Sequence, residues 1–321
     1  MGRKMVTQWS LLLLVLAVVL GGCSPAPTPT PTLAPTPKGG AVATPTGGAV
    51  ATATPATPHA SAADTAAWLR TDLAAGEAVI WYLGHCGYAI RTQKHLLIFD
   101  YQEQYDGQAR KQKPSAPGLE NGFVDPRQIA DLPVRVFATH SHTDHFNRLI
   151  FDWQDQIPDL AYYFGWQAST QTSYHYLIGP RAQLTDGSLE IYTINSQHSG
   201  VPEVAYLVKV DGLVIYHNGD YMGDFQADYS FLHEVTDQID LAFTLRGYED
   251  GSAYGNQNLD LFQRFRHGAI FPTHDTAGKS GYAEFERAFL AKLPGLPIFS
   301  PRWMGERFLY RDGHITREEA G

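Results

Sequence analysis

The sequence predicts a layered α/β domain carried behind a leader and a structureless tether, on three observations. From Ala78 onward, short apolar and β-branched runs alternate with turn residues, which is the pattern of strands. Two later stretches, Leu259 to Phe265 and Tyr282 to Leu293, have helical spacing. Finally, 44% of the 321 residues are hydrophobic, ample for a buried core.

Taken in order, Asp64 is expected to cap a short helix through Leu73 that Gly76 ends, with the domain proper starting near Ala78. Ala78 to Leu83, Gly87 to Ile90 and Leu96 to Phe99 read as successive strands, and Val134 to Ala138 as a buried one. Further strands are expected at Leu189 to Ile194, Val204 to Val210 and Leu213 to Tyr216, the last two joined by the hairpin dipeptide Asp211-Gly212. Trp153, Tyr162, Tyr163, Trp166, Tyr174 and Tyr176 line a pocket or, as preferred for most of them, pack over the sheet.

Composition narrows the chemistry. A formal net charge of -9 speaks against a general basic surface that captures phosphate, so no nucleic-acid partner is expected. The only cysteines, Cys23 and Cys86, cannot build a disulfide framework or a thiolate-rich zinc site. Any metal must be held by histidines and carboxylates.

The N-terminus has the order of an export signal: Arg3 and Lys4, the apolar run Leu11 to Leu20, then Gly21-Gly22-Cys23. That run is too short for a permanent membrane span. Leu20-Gly21-Gly22-Cys23 resembles the bacterial lipobox, which implies cleavage before Cys23 and lipidation of its thiol; an ordinary secretory cleavage is the alternative. From Ser24 to about Ala62 the chain is almost wholly Pro, Thr, Ala, Gly and Ser, with GGAVAT at Gly39 to Thr44 repeated at Gly47 to Thr52. Such a segment is an extended tether. The expected domains are a signal peptide over 1–22, a lipidated cysteine and tether over 23–62, and a catalytic domain over 63–321. The expected location is the outer face of the bacterial cell membrane, reached by a lipid anchor.

The densest chemistry is His140-Ser141-His142-Thr143-Asp144-His145, directly after the buried strand ending at Ala138. Residues two apart on an extended segment point the same way, so His140 and His142 can share one metal while Asp144 and His145 face a neighbouring position. Imidazole and carboxylate donors suit zinc, and also iron or manganese.

This segment matches the HxHxDH signature of the metallo-β-lactamase superfamily, and the resemblance extends from about Val79 to about Leu293. His198, Asp220 and His274 follow in the order that the superfamily supplies a later histidine, a metal-bridging aspartate and a last histidine. The resemblance implies a four-layer αββα sandwich and two divalent metal ions, with zinc preferred. It implies His140, His142 and His198 around the first ion, Asp144, His145 and His274 around the second, and Asp220 between them. It also implies Asp144 and Asp220 as the catalytic carboxylates. Asp100 resembles the superfamily's early aspartate, which supports the metal-binding loop without touching metal.

Gly84-His85 after Trp81-Tyr82-Leu83 looks like the opening of the ascorbate-6-phosphate lactonase-like and phospholipase D-like branches. His85 is therefore a candidate beside the active site, or else a buried structural histidine. Arg246 and Tyr248 are candidates for an anionic substrate group or an oxyanion. Cys86 reads as core rather than nucleophile, and His217 as structural, being out of register with Asp220.

The implied function is water-driven hydrolysis of an ester, lactone or phosphodiester in a small or lipid-like substrate. The alternatives are a non-hydrolytic metal- or ligand-binding surface lipoprotein and a di-iron redox protein of the same fold.

Overall fold

The computed structural model describes residues 61–177 and 179–318; the expected leader, Cys23 and most of the tether lie outside the described residues. The first helix, α1 (Ala62–Leu69), begins earlier than expected. Ser61, not Asp64, caps it, because the Ser61 hydroxyl accepts the Asp64 N–H at 3.1 Å. Asp64 instead pairs its carboxylate with Arg307 at 2.7 Å. Leu69 and Leu73 are buried against the sheet, so the domain starts with this helix and not near Ala78.

Two sheets follow. The first takes β1 (Ala78–Gly84), β2 (Gly87–Arg91), β3 (Leu96–Phe99), β6 (Val134–Ala138), β7 (Leu160–Phe164), β8 (His175–Tyr176), β15 (Arg307–Arg311) and β16 (His314–Glu318), in the order β16-β15-β1-β2-β3-β6-β7-β8. The second takes β9 (Gln183–Asp186), β10 (Leu189–His198), β11 (Val201–Val210), β12 (Leu213–His217), β13 (Gln238–Leu245) and β14 (Arg266–Thr273), in the order β14-β13-β12-β11-β10-β9. A small hairpin of β4 (Tyr105–Asp106) and β5 (Ala109–Arg110) stands apart from both.

Strand parity builds the layers. Ala78, Ile80 and Tyr82 of β1 enter the core between the sheets, where Tyr88, Phe99 and Phe137 meet Tyr206, Phe243 and Phe271. Val79, Trp81 and Leu83 face the opposite way, toward Leu69 of α1 and toward Ile150 and Trp153 of a 3-10 segment. Beyond the second sheet lie α2 (Phe225–Val235), α3 (Ala253–Arg264) and α4 (Ser280–Lys292), whose Tyr229, Leu261, Phe262, Phe285 and Phe289 cover its outer face. The order is helix, sheet, sheet, helix, a four-layer αββα sandwich.

β1 is buried along its whole length, as a strand covered on both faces must be. Asp211 and Gly212, at φ 49° and 82°, form the expected turn between β11 and β12. The helix expected from Leu259 starts at Ala253 because Ser252 caps it, its hydroxyl accepting the Gly255 N–H at 3.0 Å. Of the aromatics after His145, Trp153, Tyr162, Tyr163 and Trp166 are buried, while Tyr176 is exposed.

Candidate metal centre

The chemistry collects where strands end, at one edge of the sandwich. β1 leads into His85, β3 into Asp100, β6 into Thr139 and His140, β12 into Asp220 and β14 into His274, while β10 finishes on His198. Ends of strands suit such a site because the sheet fixes the backbone and the turn frees the side chain. The turns are tight. Of the non-glycine residues with positive φ among the described residues, His85 (54°), Asp100 (42°) and His274 (69°) belong to this edge, and Ser199 (46°) adjoins His198. Conformations this uncommon persist only where surrounding contacts impose them.

The structure brings all seven expected metal residues together. The His140 ring lies 4.6 Å from that of His142, 4.1 Å from His145 and 5.7 Å from His198. Asp220 sits among them: one carboxylate oxygen is 3.4 Å from His145 Nε2, and the other is 3.4 Å from His198 Nε2 and 3.1 Å from His274 Nε2. Donor atoms of Asp144, His145, His274 and His85 all lie within 4.8 Å of one another. His140, His145 and Asp220 form the buried floor, whereas Asp144 and His274 reach solvent. A cleft of about 380 Å³ lined by Tyr105, Gly107, Gln108, Thr143 and Asp144 opens beside them. A larger cavity of about 530 Å³, lined in part by Pro114, Phe123 and Met304, shares no residue with the cluster.

These residues fit divalent metal ions. His140 Nε2, His145 Nε2 and one Asp220 oxygen are buried without a hydrogen-bond partner, an arrangement that costs free energy unless something else binds those atoms. The opposite ring atoms are held. Asp100 accepts from the Thr139 N–H and hydroxyl, both at 2.8 Å, and lies 2.8 Å from His145 Nδ1. A carboxylate on Nδ1 leaves Nε2 as the free donor and makes the ring a better ligand. His140 Nδ1 is likewise engaged, 3.0 Å from the Thr139 hydroxyl. Asp100 therefore touches both the loop, at Thr139, and His145.

Burial sets most of the electrostatics. Burial, aided by His145, pushes His140 down to about 3, which keeps it neutral and able to ligate. Burial also works against protonating His145, but Asp220 and Asp100 outweigh it and raise its pKa well above the ordinary imidazole value. Burial would raise Asp220, yet His145 and His274 hold it well below the usual carboxylate range. The Cys86 thiol, fully buried, is pushed up to about 12 and so stays protonated, which fits packing rather than nucleophilic attack.

Sequence reasoning missed Glu203. Fully buried on β11, it accepts the Asp220 N–H at 2.6 Å and the Ser196 hydroxyl at 3.1 Å, and approaches His140 Nδ1 at 3.4 Å. Burial, reinforced by Asp220, pushes its carboxyl up to about 8. The available signal was a charged residue opening the otherwise apolar run Val204 to Val208. His217 is buried and structural, 2.8 Å from the Cys86 carbonyl and stacked 5.1 Å from Phe99. Arg246 lies beside the His274 loop, 3.3 Å from Asp275. Tyr248 is not brought to the cluster; its hydroxyl donates to Glu284 of α4.

No family model matches the chain. The chain is 27% identical over 174 residues to a UPF0173 metal-dependent hydrolase of Thermococcus kodakarensis, covering 50% of this chain and 68% of that one. Among solved structures, it is similar to a mutant of the β-hydroxylase CmlA of Streptomyces venezuelae, with TM-score 0.50 and 13% identity over 75% of this chain and 54% of that one. It is also similar to a metallo hydrolase of Ignicoccus hospitalis, with TM-score 0.49 and 15% identity over 73% and 99%. At 13% identity, the likeness to the CmlA mutant shows the fold alone.

Proposed function

We propose that this protein is a metal-dependent hydrolase that uses two divalent ions, preferably zinc, against an ester, lactone or phosphodiester. The observation that carries this reading is the convergence of His140, His142, Asp144, His145, His198, Asp220 and His274 with buried donor atoms left free. The relative of Thermococcus kodakarensis, named a metal-dependent hydrolase, supports it. The Gly84-His85 opening favours a lactonase-like or phospholipase D-like substrate over a β-lactam.

Two divalent ions held here would acidify a water molecule and polarise the oxygen of the bond under attack. The chain's own residues do the rest. Asp220, anchored through its N–H by Glu203, holds the two groups of histidines in one register. Asp100 and Thr139 fix His145 and His140 so that each presents Nε2. Asp144 lies on the wall of the cleft, where it can accept a proton from the attacking water. Burial would raise its pKa, but His85 and His145 more than offset that, so it remains an ionised acceptor. The cleft of about 380 Å³ beside Asp144 supports a small or lipid-like substrate as the molecule attacked.

We further propose export and lipid anchoring through Cys23, supported by the signal pattern that precedes it. Among the described residues, no helix is long and apolar enough to cross a membrane. If Cys23→Ala left the protein as firmly membrane-bound as before, the anchor would be elsewhere. The hydrolase reading is tested with lactones, phosphodiesters, phospholipids and a chromogenic β-lactam. Activity on a lactone, phosphodiester or phospholipid that His142→Ala abolishes is expected; activity untouched by that substitution would refute it.

A further inference from the structure

Outside the expected ligand set, one buried side chain is aimed into the centre with nothing to bind. His85 is only 3% exposed, yet neither ring nitrogen has a hydrogen-bond partner. Its Nε2 lies 3.4 Å from an Asp144 carboxylate oxygen, and its ring 4.3 Å from that of His274 and 5.3 Å from that of His145. A buried polar atom without a partner is destabilising, so a ring with both nitrogens unpaired calls for a reason.

The backbone is built to hold it there. His85 sits at φ 54° straight after Gly84 at φ 94°, and three contacts fix the bend. The His85 N–H donates to Asp106 at 3.1 Å. Its carbonyl accepts from the His274 N–H at 3.3 Å and from the Tyr282 hydroxyl at 3.3 Å. The same Asp106 carboxylate accepts from the Tyr82 hydroxyl at 2.6 Å and the Ala277 N–H at 3.2 Å, so it ties β1 to the loop carrying His274. His85 and His274 are thus positioned as a unit.

We infer that His85 is itself a ligand of the second metal position, joining Asp144, His145 and His274 through Nε2. This rests on the two-metal reading above. The four donor atoms fall within 4.8 Å of one another. That spread is close to the ~4 Å between opposite ligands around one cation at ~2 Å from each. A further imidazole makes the second position richer in nitrogen than the signature motif alone would, which favours zinc or iron over manganese and magnesium.

The test is metal binding by the folded protein, read without any substrate. His85→Asn is the variant of choice, since asparagine tolerates positive φ and keeps the turn unstrained. The metal-free wild type, titrated with Zn²⁺ or Co²⁺, is expected to bind two equivalents. His85→Asn is expected to keep the first and to bind the second more than about ten-fold more weakly, with an altered Co²⁺ absorption spectrum. Two equivalents with unchanged affinity and spectrum would overturn the role of His85. A wild type that binds no metal would instead refute the metal centre itself. If the variant fails to fold, Co²⁺-loaded wild type decides: shifted imidazole N–H resonances from His85 as well as His140, His142, His145, His198 and His274 support the inference, and absence of the His85 resonance contradicts it.

Discussion

At the scale of single residues, the site depends on side chains that never touch substrate. Asp100 accepts from Thr139 twice and lies against His145, so Asp100→Asn places an amide where His145 Nδ1 needs an acceptor. Metal affinity should fall by about 10–100-fold in an equilibrium titration, with the fold retained by circular dichroism. Away from the centre, His267 lies 3.2 Å from the Leu261 carbonyl, and burial lowers it to about 4. An unfolded histidine takes up its proton near pH 6.5. Between those values the unfolded chain binds more protons, so His267 removes stability as pH falls from about 6.5 to about 4. In urea melts at pH 7 and pH 4.5, His267→Gln should lose less stability than wild type across that window; an equal loss would contradict the assignment. Legibility at this scale followed spacing. His140 to His145 announce themselves because the ligands lie within one turn of chain. His198, Asp220 and His274 are dispersed, and only their order in a known pattern exposes them. Glu203 was easily passed over: it adjoins the apolar run Val204 to Val208, but a glutamate near the start of a strand normally faces water.

At the scale of elements, what matters is how closely strand ends approach. Gly219, between His217 and Asp220, has φ 54°, and a Cβ there would stand 2.6 Å from the Thr139 hydroxyl. The glycine lets the β12 end pack on the β6 end and so brings Asp220 to the histidines. Gly219→Ala should cost about 1–3 kcal/mol in chemical denaturation and weaken metal binding at the same time. A variant of wild-type stability would show that the contact relaxes freely. β1 and β3 were readable because fully buried strands are continuous apolar runs, and β2 and β6 because each departs from such a run at a single arginine, Arg91 or Arg135. α2, β13 and the β15–β16 hairpin were not read. In α2 the buried face is interrupted by Asp228, which pairs with Arg181 from a distant part of the chain and accepts a hydrogen bond from the nearby Tyr221 hydroxyl. Helix starts were misplaced for a simpler reason: Ser61 and Ser252 cap from outside the apolar pattern used to find the helices.

At the scale of the whole molecule, two sheets packed face to face converge their strand ends on one edge, where His140 Nε2, His145 Nε2 and an Asp220 oxygen are buried without hydrogen-bond partners. Ions that bind only the folded state stabilise it by mass action, roughly 2.7 kcal/mol for each site at a free concentration of 100 Kd. Removing metal with a chelator should therefore lower Tm by several degrees, and restoring it should recover the loss. An unchanged Tm would mean that the free donor atoms are satisfied in some other way. The most direct measurement is the metal content of the reconstituted, folded chain, taken together with its hydrolytic activity before and after chelation. Two divalent ions per chain are expected, with hydrolysis that disappears on chelation and returns with metal. A folded chain that takes up no ion, or whose hydrolysis ignores the chelator, would contradict the assignment of this edge as a hydrolytic metal centre.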